Sequence, residues 1–234
     1  AMWCRRHMVK YGTTSEQLGT LAVTFRDNAA LNPRAMQRQP ISMDDYLSAR
    51  PIVDPFRMLD ICLESDGACA VLVTSAERAK DLRHTPVYIM SGANGGGANQ
   101  GDDLFDCLRW EDHSENYSAY IADDLWGGAG VGPEDVDVAE IYDCFTYSVV
   151  AQLEGLGFCL PGEGPDFIQG GRIARDGALP LNTHGGLLSE AYIHGLNHVV
   201  EAVDQLRGDA GPRQIPGAEI ALTTAGAMTV GSAL

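Results

Sequence analysis

Residues 68–73, Ala-Cys-Ala-Val-Leu-Val, form a continuous apolar run directly after the turn pair Asp66-Gly67. A short run with no polar alternation reads as a strand buried on both faces, and such a strand needs a covering layer on each side. That requirement confines the chain to layered α/β architectures. The neighbouring segments agree: residues 75–82 predict a short helix, 87–90 a second strand, and 132–141 a turn, a helix start and a strand. Residues 220–224 predict a further strand leading into the small residues Ala225, Gly226 and Ala227.

Helices are expected between these strands. Residues 1–8 read as the interior or end of a helix, since Trp3 and Met8 need cover, and the sequence looks like a fragment. Thr14 with Gln17 resembles a capping box, and Leu18, Leu21, Ala22, Phe25 and Ala29 recur at helical spacing until Asn32-Pro33 stops the pattern. Residues 115–126 predict a helix ended by Gly127-Gly128, and 145–156 another. A helix from about Leu188 would carry Leu188, Tyr192, Gly195, Val199, Ala202 and Leu206 on one stripe. The proline-marked stretch 33–55 and residues 161–181 read as irregular. The Gly-rich segment 91–101 lacks a Lys-Ser/Thr ending, so it reads as a flexible loop in preference to a phosphate loop.

With 234 residues the chain can bury one good core, or two small ones sharing an interface. A net charge of −16 argues against nucleic acid or anionic membrane as a partner. It leaves an acyl-CoA open, because local basic residues can bind its phosphates. No apolar run reaches the roughly 18 residues that span a bilayer, and no signal-peptide pattern is present. The six cysteines are scattered, with no Cys-x-x-Cys pair, so reduced and mostly buried thiols in a cytoplasmic protein are expected, without a disulfide framework or zinc site.

Asn182-Thr-His-Gly-Gly186, running on through Tyr192 to Gly195, combines a Gly-Gly turn with a helix N-terminus, where free N–H groups can meet developing negative charge. Its frame resembles the Asn-x-x-Gly-Gly-x-x-x-x-Gly-His-Pro segment of thiolases, especially the sterol-carrier and lipid-transfer branch. Four blocks carry the resemblance across nearly the whole chain. They are Tyr11-Gly-Thr-Thr14 with Asn32-Pro33, then Asp54-Pro55 with Ser65 to Ala70, then Gly132-Pro-Glu-Asp-Val-Asp137 with Ala139-Glu-Ile-Tyr-Asp-Cys-Phe145. The fourth is Leu153-Glu-Gly-Leu-Gly-Phe158 with Gly162-Glu-Gly164 and Pro180 to Gly186. The resemblance implies a thiolase-like layered α/β/α/β/α fold, of which this chain covers the end of the first half and all of the second. Residues 1–84 would close the N-terminal half with its loop region, and 85–234 would form the C-terminal half.

The departures carry as much information as the matches. Tyr142 stands where the sterol-carrier branch has histidine and many thiolases have asparagine, and Tyr192 stands at the catalytic histidine. Thr223 replaces the second catalytic cysteine and cannot act as a thiolate base. This pair of tyrosines resembles the steroid side-chain retro-aldolases of the same branch. By that resemblance the substrate is a 17-hydroxy sterol side-chain CoA ester, cleaved to propionyl-CoA and a 17-keto steroid. The resemblance also implies a DUF35-type partner subunit carrying an OB-fold and a zinc ribbon, a homodimer, and no cofactor beyond the CoA of the substrate.

Retro-aldol cleavage needs a base for the β-hydroxyl proton, donors for the thioester enolate and an acid for the α-carbon, with neither nucleophile nor metal. Tyr192 is expected to take the hydroxyl proton and Tyr142 to donate to the enolate, with the reverse assignment open. The Ala225 N–H would line an oxyanion site by position, and His184 and His194 would relay protons. Plainer roles stand beside these. Tyr192 suits a core stripe, Tyr142 a strand end, Asp143 the N-cap of a helix near Phe145, Cys144 simple packing, and Asn182 the fixing of its loop. A thiolase or acyltransferase, and a non-catalytic acyl-CoA-binding subunit, are the competing functions.

Overall fold

The computed structural model describes residues 1–98, 110–226 and 228–234. Cys107, the end of the Gly-rich segment and Ala227 lie outside the described residues. Helix α1 spans Met2–Tyr11 and ends at Gly12, whose φ of 82° is the left-handed stop that glycine adopts freely. Helix α2 spans Ser15–Ala30 behind the expected capping box, with Gln17 N 3.2 Å from Thr14 Oγ1 and Thr14 N 2.9 Å from Gln17 Oε1. Leu18, Leu21, Ala22, Phe25 and Ala29 form its buried face, as their spacing requires.

The stretch expected to be irregular holds more order than its prolines suggest. Ser42 and Asp45 form a capping box for helix α3, Met43–Ser48, and the Tyr46 hydroxyl donates to Asp60 Oδ1 at 2.7 Å. Strands β1, Pro51–Val53, and β2, Phe56–Arg57, then pair as a small ribbon.

Residues 68–73 are not the strand their apolar content predicts. They have no pairing partner among the described residues, and Leu72 is 88% exposed. Residues 87–90 are likewise unpaired, and the expected helix between them shortens to α4, Ala76–Ala79. Both runs line one apolar groove of about 720 Å³ with Trp126, Val199, Leu206 and Leu222. The apolar pattern reports a surface to be covered, and a strand forms only where a ladder is at hand.

The four-stranded sheet has the order β3-β6-β5-β4, with β3 at Ala93–Gly96, β4 at Val138–Glu140, β5 at Ala221–Gly226 and β6 at Val230–Ala233. Strands β4 and β5 are parallel, whereas β6 runs antiparallel to β5 and β3. The Gly-rich segment expected to be a flexible loop therefore begins as an edge strand. Gly231, opposite Gly95, shows why small residues sit here: a Cβ on it would lie 2.4 Å from Tyr117 Cζ.

Helix α5, Ser118–Ala129, continues through Gly127-Gly128 and stops at Gly130, because buried Ile121 and Leu125 hold it against the core. Helix α6, Thr146–Gly155, follows β4, and the short α7, Gly164–Phe167, interrupts the expected loop. The helix expected from Leu188 onward is broken in two: α8, Gly186–Ser189, and α9, Leu196–Arg207. His194 at φ 50° and Gly195 at φ 81° cannot continue a right-handed helix, so residues 190–195 form a loop between them. Helix α9 packs on β4 and β5, while α2 packs on α3, α6 and α8. The described cysteines are unpaired, Cys4 and Cys144 buried and Cys62, Cys69 and Cys159 half-buried. No helix among the described residues is long and apolar enough to cross a membrane.

Candidate active site

Tyr142 leaves the C-terminal end of β4, the end where parallel strands present catalytic groups. Its backbone is held on every side. Its N–H donates to Thr224 Oγ1 at 2.8 Å, and its carbonyl accepts from Gln152 Nε2 at 2.7 Å and Ser148 Oγ at 3.0 Å. Asn182, at φ 44°, satisfies both polar groups of Ile141 next door, accepting from its N–H at 2.7 Å and donating to its carbonyl at 2.9 Å. Its structural role is thereby explained.

Tyr192 arrives on the 190–195 loop, not on a helical stripe, and its N–H donates to Ser65 Oγ at 3.1 Å. The two tyrosine hydroxyls are 2.7 Å apart, with the rings edge to face at 6.2 Å. Tyr142 is buried and Tyr192 half-buried, within a small apolar cluster of Cys62, Cys144, Phe145, Leu187 and Ala225. His194 Nδ1 lies 3.3 Å from the Tyr192 hydroxyl, and the ring faces solvent. The sequence-predicted residues Tyr142, Tyr192 and His194 thus meet in one place.

His184 does not join them. It is fully buried, with Nδ1 2.9 Å from Glu140 Oε2 at an angle outside hydrogen-bond geometry and Nε2 3.1 Å from His198 Nδ1. Burial alone would disfavour its charge, but Glu190, Glu140 and Glu201 outweigh it and push the imidazole up to about 9. Arg213 binds Glu201 through two contacts of 2.8 and 3.0 Å and holds that carboxylate low against the opposing effect of burial. Glu140, His184 and His198 also offer metal-ligand atoms within 4.8 Å of one another. Each already has a protein partner in reach, so the cluster reads first as an internal charge network beneath the tyrosines. Glu140 had one signal in the sequence, a carboxylate at the end of a predicted strand two residues before Tyr142. His198 had none beyond its place on α9.

Asp143 is not the N-cap of the helix that follows it, a position held by Phe145; it serves a different helix. Its carboxylate accepts from Leu187 N at 2.8 Å and Leu188 N at 3.1 Å, closing the start of α8 from 44 residues away. Ala225 contributes less than its position suggested. The Thr223–Leu234 pair exchanges both backbone hydrogen bonds at 2.9 Å, so two residues on the Ala225–Ser232 pair repeats that pattern and aims the Ala225 N–H into the β5–β6 ladder.

Two hydroxyls at 2.7 Å share one hydrogen bond, so one phenol donates to the other, which keeps its own proton for another acceptor. Burial pushes Tyr142 well above the ordinary phenol range, keeping it a neutral donor. Burial likewise pushes Cys144 up to about 12 and Cys62 up to about 11, so neither nearby thiol supplies a thiolate nucleophile. The described groups around the tyrosines are suited to proton transfer and oxyanion binding.

The family profile described as Thiolase C-terminal domain-like matches residues 116–234, and the chain belongs to that family. It is 45% identical, over 89% of its length, to the steroid side-chain-cleaving aldolase of Thermomonospora curvata, of which it covers 53%. It is 44% identical, over 97% of its length, to the 17-hydroxy-3-oxo-4-pregnene-20-carboxyl-CoA lyase of Mycobacterium tuberculosis, of which it covers 58%. A solved structure described as an Ltp2-ChsH2(DUF35) aldolase superposes on the whole chain with a TM-score of 0.94 at 42% identity, and the chain covers 61% of it. The chain therefore spans little more than half the length of these curated relatives.

Proposed function

We propose that the protein to which this chain belongs cleaves a β-hydroxyacyl-CoA by a retro-aldol reaction, releasing propionyl-CoA and a 17-keto steroid from a 17-hydroxy sterol side-chain CoA ester. The observation that carries the reading is the tyrosine pair, two hydroxyls 2.7 Å apart where thiolases place other groups. The roles follow from depth. Tyr192, nearer the mouth, takes the β-hydroxyl proton as the carbon–carbon bond breaks, and developing charge is better tolerated there than on its buried partner. Tyr142 donates a hydrogen bond to the enolate and then its proton to the α-carbon. The similarity to the two lyases supports the substrate class.

The same reading takes an OB-fold and zinc-ribbon subunit of the DUF35 type as partner, supported by the complex named for the superposed structure. A homodimer in the cytoplasm, with no cofactor beyond the CoA of the substrate, rests on the family resemblance. The test supplies the complete protein and its partner with a 17-hydroxy steroid side-chain CoA ester and follows propionyl-CoA and the 17-ketone by mass spectrometry. Absence of both products refutes the proposal.

A further inference from the structure

His194 is the one polar side chain besides Tyr142 that touches the Tyr192 hydroxyl among the described residues, and three features set it apart from a surface histidine. Its Nδ1 is aimed at that hydroxyl from 3.3 Å, its ring lies against the tyrosine ring at 4.6 Å between centroids, and its backbone sits at φ 50°. A left-handed backbone at a non-glycine residue is strained and persists where the surroundings enforce it, commonly at functional sites. The enforcement is visible. Gly195 has no space for a Cβ, which would lie 3.0 Å from Ala225 Cβ and 3.1 Å from Tyr142 Cδ2, and Ser65 anchors the loop at Tyr192. The loop is thus bent where it presents the imidazole to the phenol.

Among the described residues the Tyr192 hydroxyl reaches two polar side chains, Tyr142 inward and His194 outward. The imidazole can therefore hold the proton between carbon–carbon cleavage and protonation of the α-carbon. We infer that His194 acts through Tyr192 in the retro-aldol reaction, as the solvent-facing end of a Tyr142–Tyr192–His194 proton relay. This inference rests on the retro-aldolase reading. In the cleavage step the substrate β-hydroxyl proton passes to Tyr192 Oη while the phenolic proton of Tyr192 passes to neutral His194 Nδ1. The electron pair of the broken carbon–carbon bond enters the thioester enolate, and the β-carbon becomes the ketone. Tyr142 then gives its proton to the α-carbon, receives one from Tyr192 across 2.7 Å, and Tyr192 is reprotonated by the imidazolium. The β-hydroxyl proton is thereby accounted for on the α-carbon, and the protein ends as it began.

The titratable groups facing His194 are Tyr192 on its own loop and, through it, Tyr142 on the β4–α6 turn. The 61–67 segment packed against the loop carries Cys62, Glu64 and Asp66, and none of them is bonded to or paired with the ring. Strand β5, Ala221–Gly226, carries no titratable side chain and approaches the loop at Gly195 through Thr224 and Ala225.

The test uses the complete protein with its partner subunit. His194→Asn keeps a residue that tolerates the left-handed backbone and places a polar atom near Nδ1, but it cannot take the proton. Its kcat should fall about 10²-fold, the lower end of what a positioned acid–base group contributes. His194→Gly relieves the backbone and opens the position, and added imidazole should restore rate in proportion to its neutral form. Wild-type kcat in His194→Asn, or no imidazole rescue in a His194→Gly that melts as wild type, overturns the relay while leaving the aldolase reading standing. A wild-type complex that releases no propionyl-CoA overturns both.

Discussion

Asp143 joins the two segments that carry the tyrosines, and replacing it tests whether that joint holds the site together. In Asp143→Ala the N–H groups of Leu187 and Leu188, which now reach the carboxylate at 2.8 and 3.1 Å, lose their acceptor in a region closed to water. A buried amide left unsatisfied costs about 1–3 kcal/mol, so the pair costs about 2–6 kcal/mol. His198 Nε2, 3.4 Å from the same carboxylate, loses its neighbour too. With a urea m-value of about 3 kcal/mol/M, the unfolding midpoint of the complete protein should drop by about 0.7–2 M at unchanged slope. Asp143→Asn retains one acceptor oxygen and should lose about half as much. Activity should fall alongside, because α8 opens directly into the loop holding Tyr192. A midpoint for Asp143→Ala within about 0.2 M of wild type would refute the capping argument, since no relaxation hydrates two amides this deep for nothing.

Gly186 sits at φ 64° with room for no Cβ, which would fall 2.1 Å from Asp143 Oδ2 and 2.7 Å from Asn182 Nδ2. Gly186→Ala should therefore destabilise at least as much as Asp143→Ala in the same urea titration, and a neutral result would count against the packing described. His184 supplies a pH dependence. Its folded pKa is raised to about 9, so its contribution is full below the unfolded histidine value of about 6.5 and is lost as pH rises through about 9. Urea midpoints should decline across that window in the wild type and flatten in His184→Gln; parallel curves would show that the imidazolium is not what the glutamates hold.

Legibility in the sequence followed the range of the interaction. Helix α2 was readable because its capping box and apolar stripe lie within 16 residues of one another. The meeting of Tyr142 and Tyr192 was anticipated only through resemblance, since 50 residues separate them and nothing local aims one at the other. Residues 68–73 misled because apolar content reports a need for cover and not the ladder that would make a strand. The break before α9 was hidden by a stripe at helical spacing, which His194 and Gly195 override with left-handed backbones. Asp143 suggests a cap for the nearest helix, whereas the amides it serves are brought in by the fold. The internal network of Glu140, His184, His198, Glu201 and Arg213 draws on β4, the 182–185 turn, α9 and the segment after it, and no single window of sequence contains it.

The central claim is that a pair of tyrosines breaks the carbon–carbon bond without a covalent intermediate. Its most direct test compares propionyl-CoA release by the wild-type complex, Tyr142→Phe, Tyr192→Phe and the double variant, with intact-protein mass spectrometry during turnover. The account predicts a loss of about 10²–10³-fold in kcat for each single variant, a double variant scarcely worse than the slower single, and no acyl-protein adduct at any stage. Wild-type rates in both single variants, or an acyl adduct on a cysteine that forms and decays with turnover, would contradict it.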